Sequence, residues 1–284
     1  CGTSAVPPFA GFASGCAVLS AQNASNVSIY GAGAIRGAGS PATCWNWNGA
    51  AFANLLKFRH IDRLRISGVR IENPCGWTIH PQQCQDVHIH DIAISCEPRQ
   101  YHYNTDGIDP DSCVDVLIED VDYSCGDDAV AVKASYPGCQ PTSNVTIRRL
   151  ASGGRGGFTI GSEIQGGASD ITFEDCTSTG VSGIRISRRP DSYLIANLHT
   201  AAMPGLHWVC RYVDKHGNSA WHDPLARLGQ AQRQRHGFER HVRRWTDEGP
   251  APHDQEATED NCGQRCLGAL CVAQTGGFKA FLVL

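Results

Sequence analysis

One short phrase recurs along this chain and constrains the fold more than anything else. It is a polar residue, two apolar residues at alternate positions, then Asp or Gly and often a further apolar pair. It reads Asn26-Val27-Ser28-Ile29, then Arg63-Leu64-Arg65-Ile66-Ser67-Gly68-Val69-Arg70-Ile71. Asp86-Val87-His88-Ile89-His90-Asp91-Ile92-Ala93-Ile94 and Asp115-Val116-Leu117-Ile118-Glu119-Asp120-Val121 follow. Asn144-Val145-Thr146-Ile147 and Asp170-Ile171-Thr172-Phe173 complete the series. The steps are 23 residues from Leu64 to Val87, 29 to Val116, 29 to Val145 and 26 to Ile171. The apolar period inside each phrase is two, which is the signature of strand rather than helix. Asp, Asn and Gly tolerate the tight turns that end such strands.

Short strands at this interval, with no amphipathic helix between them, predict an all-β fold: a right-handed parallel β-helix, a solenoid of stacked coils. One coil cannot bury its inward Val/Ile row alone, whereas stacked coils make that row continuous. A β-sandwich needs closer turns, and a leucine-rich solenoid needs a leucine ladder that is absent. The phrase is not found again after Arg188-Arg189-Pro190. Residues 1–189 are therefore expected to form the β-helix domain, with N-terminal coils missing because the first phrase comes so soon after Cys1. Residues 190–284 are expected to be a non-repeat tail, holding seven of the twelve histidines and three of the six tryptophans. A small separate domain, a disordered segment and a stretch read out of frame all fit that composition, and the abruptness favours the last.

Composition narrows the function classes. Net charge is −4 and pI about 6.3, unlike a protein that neutralises nucleic acid phosphates. No run approaches the ~18 apolar residues of a membrane span. Neither nucleic acid nor membrane is an expected partner, and a monomer is expected. Fourteen cysteines without paired C-x-x-C spacing suggest an exported protein with disulfides, Cys1 with Cys16 being one plausible local pair. Sequons at Asn23, Asn26 and Asn144 are compatible with a secreted, extracellular location. No signal peptide is visible, which leaves processing and fragmentation both open.

Four loops attached to the repeating strands carry the chemistry. They are Asn104-Thr105-Asp106-Gly107-Ile108-Asp109-Pro110, Gly126-Asp127-Asp128-Ala129-Val130-Ala131-Val132-Lys133, Ser152-Gly153-Gly154-Arg155-Gly156-Gly157 and Gly183-Ile184-Arg185-Ile186-Ser187. Asp106 to Asp127 is 21 residues, Asp127 to Arg155 is 28 and Arg155 to Arg185 is 30, close to one coil each. Coils lie about 4.8 Å apart, so Asp106, Asp127 and Asp128 are expected to share one patch with arginines one and two coils away. Crowded carboxyls raise at least one pKa, leaving an acid beside a base. Glycosidic hydrolysis needs that combination, and guanidinium forks suit a substrate bearing carboxylates.

These loops resemble those of glycoside hydrolase family 28, the polygalacturonases and related pectin hydrolases, which carry N-T-D, G-D-D, G-H-G and R-I-K in that order. The resemblance spans roughly residues 1–188. It implies cleavage of α-1,4 galacturonosyl links of pectin by an inverting mechanism, with no metal and no organic cofactor. By resemblance, Asp127 is the general acid, Asp106 and Asp128 orient and deprotonate water, and Asn104 positions the cluster. Arg185 would bind a substrate carboxylate, and Arg155, Ser187 and Lys133 are further substrate-binding candidates. Inversion usually calls for carboxyls about 6.5–9.5 Å apart. Two departures stand out. Gly154-Arg155-Gly156 replaces G-H-G, and Arg185-Ile186-Ser187 replaces R-I-K. A guanidinium stays charged and only donates, whereas imidazole can relay a proton. Arg155 beside Asp127 would favour the carboxylate, so weak or absent activity on polygalacturonate is expected of this chain. The family's bridge between a cysteine after G-D-D and another before S-G-G-H-G is replaced by Ala129 and Ala151.

Other readings stay beside this one. The substrate could be rhamnogalacturonan or xylogalacturonan, or the chain could bind acidic polysaccharide without cleaving it. A pectate lyase would also use a β-helix, but with calcium and an eliminating reaction. Asp127-Asp128 could be a calcium pair and Asp106 and Asp109 plain turn residues. His88 and His90 read as outward strand residues rather than metal ligands. Cys262, Cys266 and Cys271 lack zinc spacing, and Trp45, Trp47 and Trp77 read as buried against a coil rather than stacked on sugar.

Overall fold

The computed structural model describes residues 17–46, 53–97, 103–135, 139–180, 184–188, 195–201, 208–213 and 219–222. Each phrase of the repeat is a strand. β1 (Ala17–Tyr30), β2 (Ala34–Arg36), β3 (Asn54–Ser67), β4 (Arg70–Glu72), β5 (Ile79–Gln82) and β6 (Gln85–Ser95) come first. β7 (Val114–Ser124), β8 (Val130–Ala134), β9 (Thr142–Ser152), β10 (Phe158–Ile164), β11 (Ala168–Glu174) and β12 (Thr177–Ser178) follow. β13 (Ile184–Arg188), β14 (Ile195–Ala201), β15 (Trp208–Val213) and β16 (Ser219–His222) complete them. One parallel sheet runs in the order β1-β3-β6-β7-β9-β11-β14. A second runs β8-β10-β13-β15, with β16 antiparallel at its edge. The fold is a parallel β-helix, as the repeat predicts.

The register explains the phrase. Val27, Leu64, Val87, Val116, Val145, Ile171 and Leu198 stack in one file, and Ile29, Ile66, Ile89, Ile118, Ile147 and Phe173 in the next. From Leu64 onward these side chains are buried, while Val27 and Ile29 on the outermost described strand are half-buried. The second sheet adds an inward file of Ile79, Ile108, Val130, Phe158 and Ile184. The Phe158 ring meets Phe173 edge-on at 5.7 Å, joining the two sheets across the core.

The polar residue that opens each phrase has its own cause. Asn26, Arg63, Asp86, Asp115, Asn144 and Asp170 all hold left-handed backbone, with φ between 53° and 65°. Asp91, Asp120, Arg149 and Asp175 do the same at the next bend, with φ of 50–52°. Asn and Asp reach this region most readily of the non-glycine residues. Where arginine takes the place, its side chain ties coils together: Arg63 Nη1 donates to Asn26 Oδ1 at 2.5 Å, and Arg149 pairs with both Asp120 and Glu119.

The expected boundary after residue 189 needs correction. β14 continues the first sheet, with Leu198 beside Ile171 and Thr200 beside Phe173. β15 continues the second, with Trp208 beside Ile184 and Cys210 beside Ile186. The coil was hidden because Thr200 stands where earlier phrases have Ile or Phe, which removes half of the apolar pattern. Residues 223–284, the bulk of the expected tail, lie outside the described residues, as do Cys1, Cys16 and Trp47.

Disulfides join Cys44 to Cys75 and Cys96 to Cys125. Trp45 and Trp77 are buried, Trp45 donating its indole N–H to the Pro74 carbonyl at 2.8 Å. His88 and His90 point outward with rings stacked at 4.3 Å, and their nitrogens bond Glu119 and Asp91.

Because Ile118 is fully buried between two coils, Ile118→Ala is expected to cost about 2–5 kcal/mol. Leu117→Ala, on the outward face, should stay within roughly 1 kcal/mol. Denaturant unfolding of the two variants checks the contrast, and similar losses would contradict the inward file.

Candidate active site

Two consecutive coils build the site. The first leaves β6, passes Cys96 and carries Asn104, Asp106 and Asp109 before reaching β7. The second leaves β7, passes Cys125 and carries Asp127 and Asp128 into β8. The loops lie directly on one another: Gly107 N–H donates to the Asp128 carbonyl at 2.9 Å and Ile108 N–H to that of Ala129 at 3.1 Å. A Cβ on Gly107 would fall 2.4 Å from the Ala129 oxygen, and one on Gly156 would fall 2.1 Å from the Asp127 oxygen. The glycines of N-T-D-G and G-R-G are thus demanded by coil contact, with the Gly156 N–H donating to that Asp127 carbonyl at 3.1 Å.

The connections between the loops hold Asp127. Asn104, in left-handed backbone, donates its N–H to Asp127 Oδ2 at 2.7 Å, and the Asp128 N–H donates to Oδ1 at 3.0 Å. Gly126 N–H donates to Thr105 Oγ1 at 3.0 Å. The buried Tyr123 hydroxyl accepts the Asp127 N–H and lies within donating distance of the Thr105 and Asp127 carbonyls, at 2.9 and 2.7 Å.

Asp106, Asp127 and Asp128 meet as expected, each offering an oxygen within 4.8 Å of the others'. Their nearest oxygens are closer than the 6.5–9.5 Å expected between the carboxyls of an inverting pair, since the two loops stack on coils about 4.8 Å apart. Asp106 and Asp128 are buried, at 4% and 6% exposure, whereas Asp127 is half-buried. The trio is also the group among the described residues whose spacing suits a cation. Two side-chain cations already serve it. Lys133 Nζ lies 3.8 Å from Asp106, 3.5 Å from Asp109 and 3.0 Å from Glu163, over the Trp77 ring at 4.2 Å. Arg185 Nη2 meets Asp128 Oδ2 at 2.5 Å, and its Nε donates to Thr159 Oγ1 at 3.2 Å.

Burial sets the proton distribution. It raises Asp106 well above the usual carboxylate range, with Asp109 and Asp127 adding to the shift. It lifts Asp109 to about 8 despite Lys133, and Asp128 to about 6 despite Arg185. Lys133 draws Glu163 down to about 2. Lys133 itself rises well above its ordinary value, since Glu163, Asp109 and Asp106 together outweigh its burial. Asp106, Asp109 and Asp128 thus hold protons above the usual carboxylate range, while Glu163 stays ionised beside Lys133.

The remaining candidates fall in different places. Lys133, expected to touch substrate, is 3% exposed and serves as an internal counter-ion beneath the acids. Ser187 is likewise 3% exposed, with its backbone against Gly161. Arg155 is exposed, with its guanidinium over the half-exposed Tyr103 ring at 5.0 Å. Its backbone N–H donates to the Cys125 carbonyl. Glu163 was not foreseen, because a register shift between Ile160 and Ile164 brings it to Lys133 and no sequence pattern marks that bulge. Asp109 had a signal, three residues after Asp106 in one motif, but read equally well as a turn.

The parallel β-helix thus gathers three carboxyls and a guanidinium on adjoining loops, with groups that can donate and accept protons side by side. The profile of the glycosyl hydrolases family 28 matches residues 12–197, and the chain belongs to that family. It is 36% identical over 140 residues to a probable polygalacturonase of Vitis vinifera, covering 46% of this chain and 28% of that protein. It is 30% identical over 187 residues to an endo-polygalacturonase of Pectobacterium carotovorum subsp. carotovorum, covering 61% of this chain and 46% of that one. The fold is similar to the crystal structure of a hyperthermoactive exopolygalacturonase from Thermotoga maritima, at 22% identity and TM-score 0.52, over 66% of this chain and 50% of that one. It is also similar to a polygalacturonase from Erwinia carotovora ssp. carotovora, at 24% identity and TM-score 0.51, over 66% and 51%. The chain thus spans about half or less of the length of these relatives.

Asp109 supplies a stability test. Its folded pKa lies above the usual unfolded value of about 3.9, so the folded state holds the proton more tightly and stability falls as pH rises through the window up to about 8. Asp109→Asn removes that dependence. Relative to the parent, it should gain up to about 1.4 kcal/mol per pH unit between roughly pH 4 and 8. Melting curves across that range check it, and a pH-independent difference between the two proteins would contradict it.

Proposed function

We propose that this chain hydrolyses the α-1,4 links between galacturonic acid units of pectin, acting outside the cell that makes it. The observation that carries this reading is the convergence of Asp106, Asp127 and Asp128 beside Arg185 on adjoining coils. Family membership and the polygalacturonase relatives support the substrate class. The two disulfides fit an oxidising, extracellular setting.

In the proposed reaction Asp127, the member of the trio nearest the surface, protonates the leaving glycosidic oxygen as the bond to the anomeric carbon breaks. A water held from below by Asp106 and Asp128 forms the new bond, and its proton passes to that buried pair. The water lies over the trio, within reach of carboxyl oxygens that approach one another within 4.8 Å. No carboxylate replaces it as nucleophile, because Asp106 and Asp128 are buried and both Asp127 oxygens accept backbone N–H groups. The anomeric configuration is therefore inverted. Arg185 takes a substrate carboxylate in exchange for part of its contact with Asp128. Arg155 cannot act as the proton relay that a histidine would supply, so turnover is slow.

A reducing-end assay on polygalacturonate tests this. Release should occur without the ultraviolet absorbance of an unsaturated end, and should fall about 10²–10⁴-fold in Asp127→Asn. The rate should rise as pH passes about 6, where Asp128 loses its own proton and can accept one from the attacking water. Binding of polygalacturonate with no release of reducing ends would contradict the hydrolase reading and leave a non-catalytic binding protein.

Replacing the relay gives a further test. Arg155→His is expected to raise turnover at least ~10-fold. Strong activity in the unaltered chain, with no gain in the variant, would contradict the role given to Arg155.

A further inference from the structure

Four cysteines bracket two neighbouring strands in strict register. Cys84 and Cys96 flank β6, and Cys113 and Cys125 flank β7. Gln85 pairs with Val114 at one end of the two strands and Ser95 with Ser124 at the other. Cys84 therefore lies beside Cys113 just as Cys96 lies beside Cys125. The second pair is bonded, with its Cα atoms 4.9 Å apart and a sequence separation of 29. Cys84 and Cys113 have the same separation, and the Val114 N–H donates to the Cys84 carbonyl at 3.0 Å, which fixes the two cysteines side by side. Their side chains are near enough for each to bear on the other's protonation. Each also reaches a carbonyl one coil back, Cys84 to Phe58 and Cys113 to Pro81. The rung spacing of about 4.8 Å falls within the 4.4–6.8 Å between Cα atoms that a disulfide spans.

We infer that Cys84 and Cys113 are the site of a further coil-to-coil disulfide, formed as the chain folds in an oxidising compartment. Both side chains are buried, at 1% and 0% exposure, so the exchange takes place before the coils close over them. The oxidant is a small-molecule disulfide of the glutathione class. The thiolate of one cysteine attacks a sulfur of that disulfide, expelling one small thiolate. The second cysteine's thiolate then attacks the mixed disulfide and expels the other. Two protein thiols are oxidised by two electrons, and one small disulfide is reduced to two thiols, which take up the two protons the cysteines gave up.

The consequence is positional. A Cys84–Cys113 bond closes one full coil into a covalent ring, and Cys96–Cys125 closes the next. The two rings overlap over residues 96–113, the segment that carries Asn104, Asp106, Asp109 and Asp111. The part of the chain that sets the acidic cluster would thus be tied to the coil before it and the coil after it.

The test is peptide mapping of the full chain secreted by an oxidising host, denatured in iodoacetamide without reductant. Peptides containing Cys84 and Cys113 are expected joined to each other, with neither cysteine alkylated. Either cysteine recovered alkylated, or joined to a different cysteine, would overturn the inference. A second measurement compares melting of the parent with Cys84→Ala/Cys113→Ala, with and without a phosphine reductant. With the bond present, the deficit of the double variant should shrink by about 5–10 °C on reduction. An equal deficit in both conditions would mean that the cysteines contribute packing alone, and would overturn it too.

Discussion

Backbone hydrogen bonding between parallel strands sets the distance from one coil to the next, and every other property of this protein inherits that distance. The same spacing that lets Leu64, Val87, Val116, Val145 and Ile171 form one unbroken apolar file also stacks the loops at the strand ends. Loops that stack so closely cannot carry a Cβ at Gly107 or Gly156, and they cannot hold their carboxylates apart. Core and site are two readings of one repeat.

Crowding then becomes the chemistry. Asp106 and Asp109 on one coil face Asp127 and Asp128 on the next, with Lys133 and Arg185 set against them and Glu163. Lys133 is anchored by the Trp77 ring and by Glu163, which stays ionised to about pH 2. With that cation committed below the groove, the buried acids above keep protons at pH values where an exposed aspartate would have lost its own. The site supplies proton donors and acceptors together because it was denied the charge to ionise fully.

The strands were legible because burial on one face demands a period of two, and no other structure writes Val-x-Ile beside Asp or Asn every coil. The meeting of the acidic trio was legible for the same reason, since Asp106 and Asp127 sit one coil apart in number as well as in space. What escaped reading was set by contacts that leave no periodic trace. β14 was missed because Thr200 breaks the apolar alternation, and Glu163 because a bulge in β10 delivers it. The close approach of the carboxyl oxygens follows from the coil spacing, which the sequence interval between Asp106 and Asp127 already implied. Lys133 read as a substrate contact because its distance from the motif acids along the chain says nothing about which side of them it occupies.

Site-resolved carbon-13 titration of the aspartate carboxyls tests the coupling of the trio most directly. The account requires Asp106 and Asp128 to titrate well above pH 4, Asp128 near 6, with the Asp128 transition moving down when Asp127 is made neutral. Three independent transitions near the value of an exposed aspartate, unmoved by that change, would mean that the acids do not share a buried patch, and the account would fail.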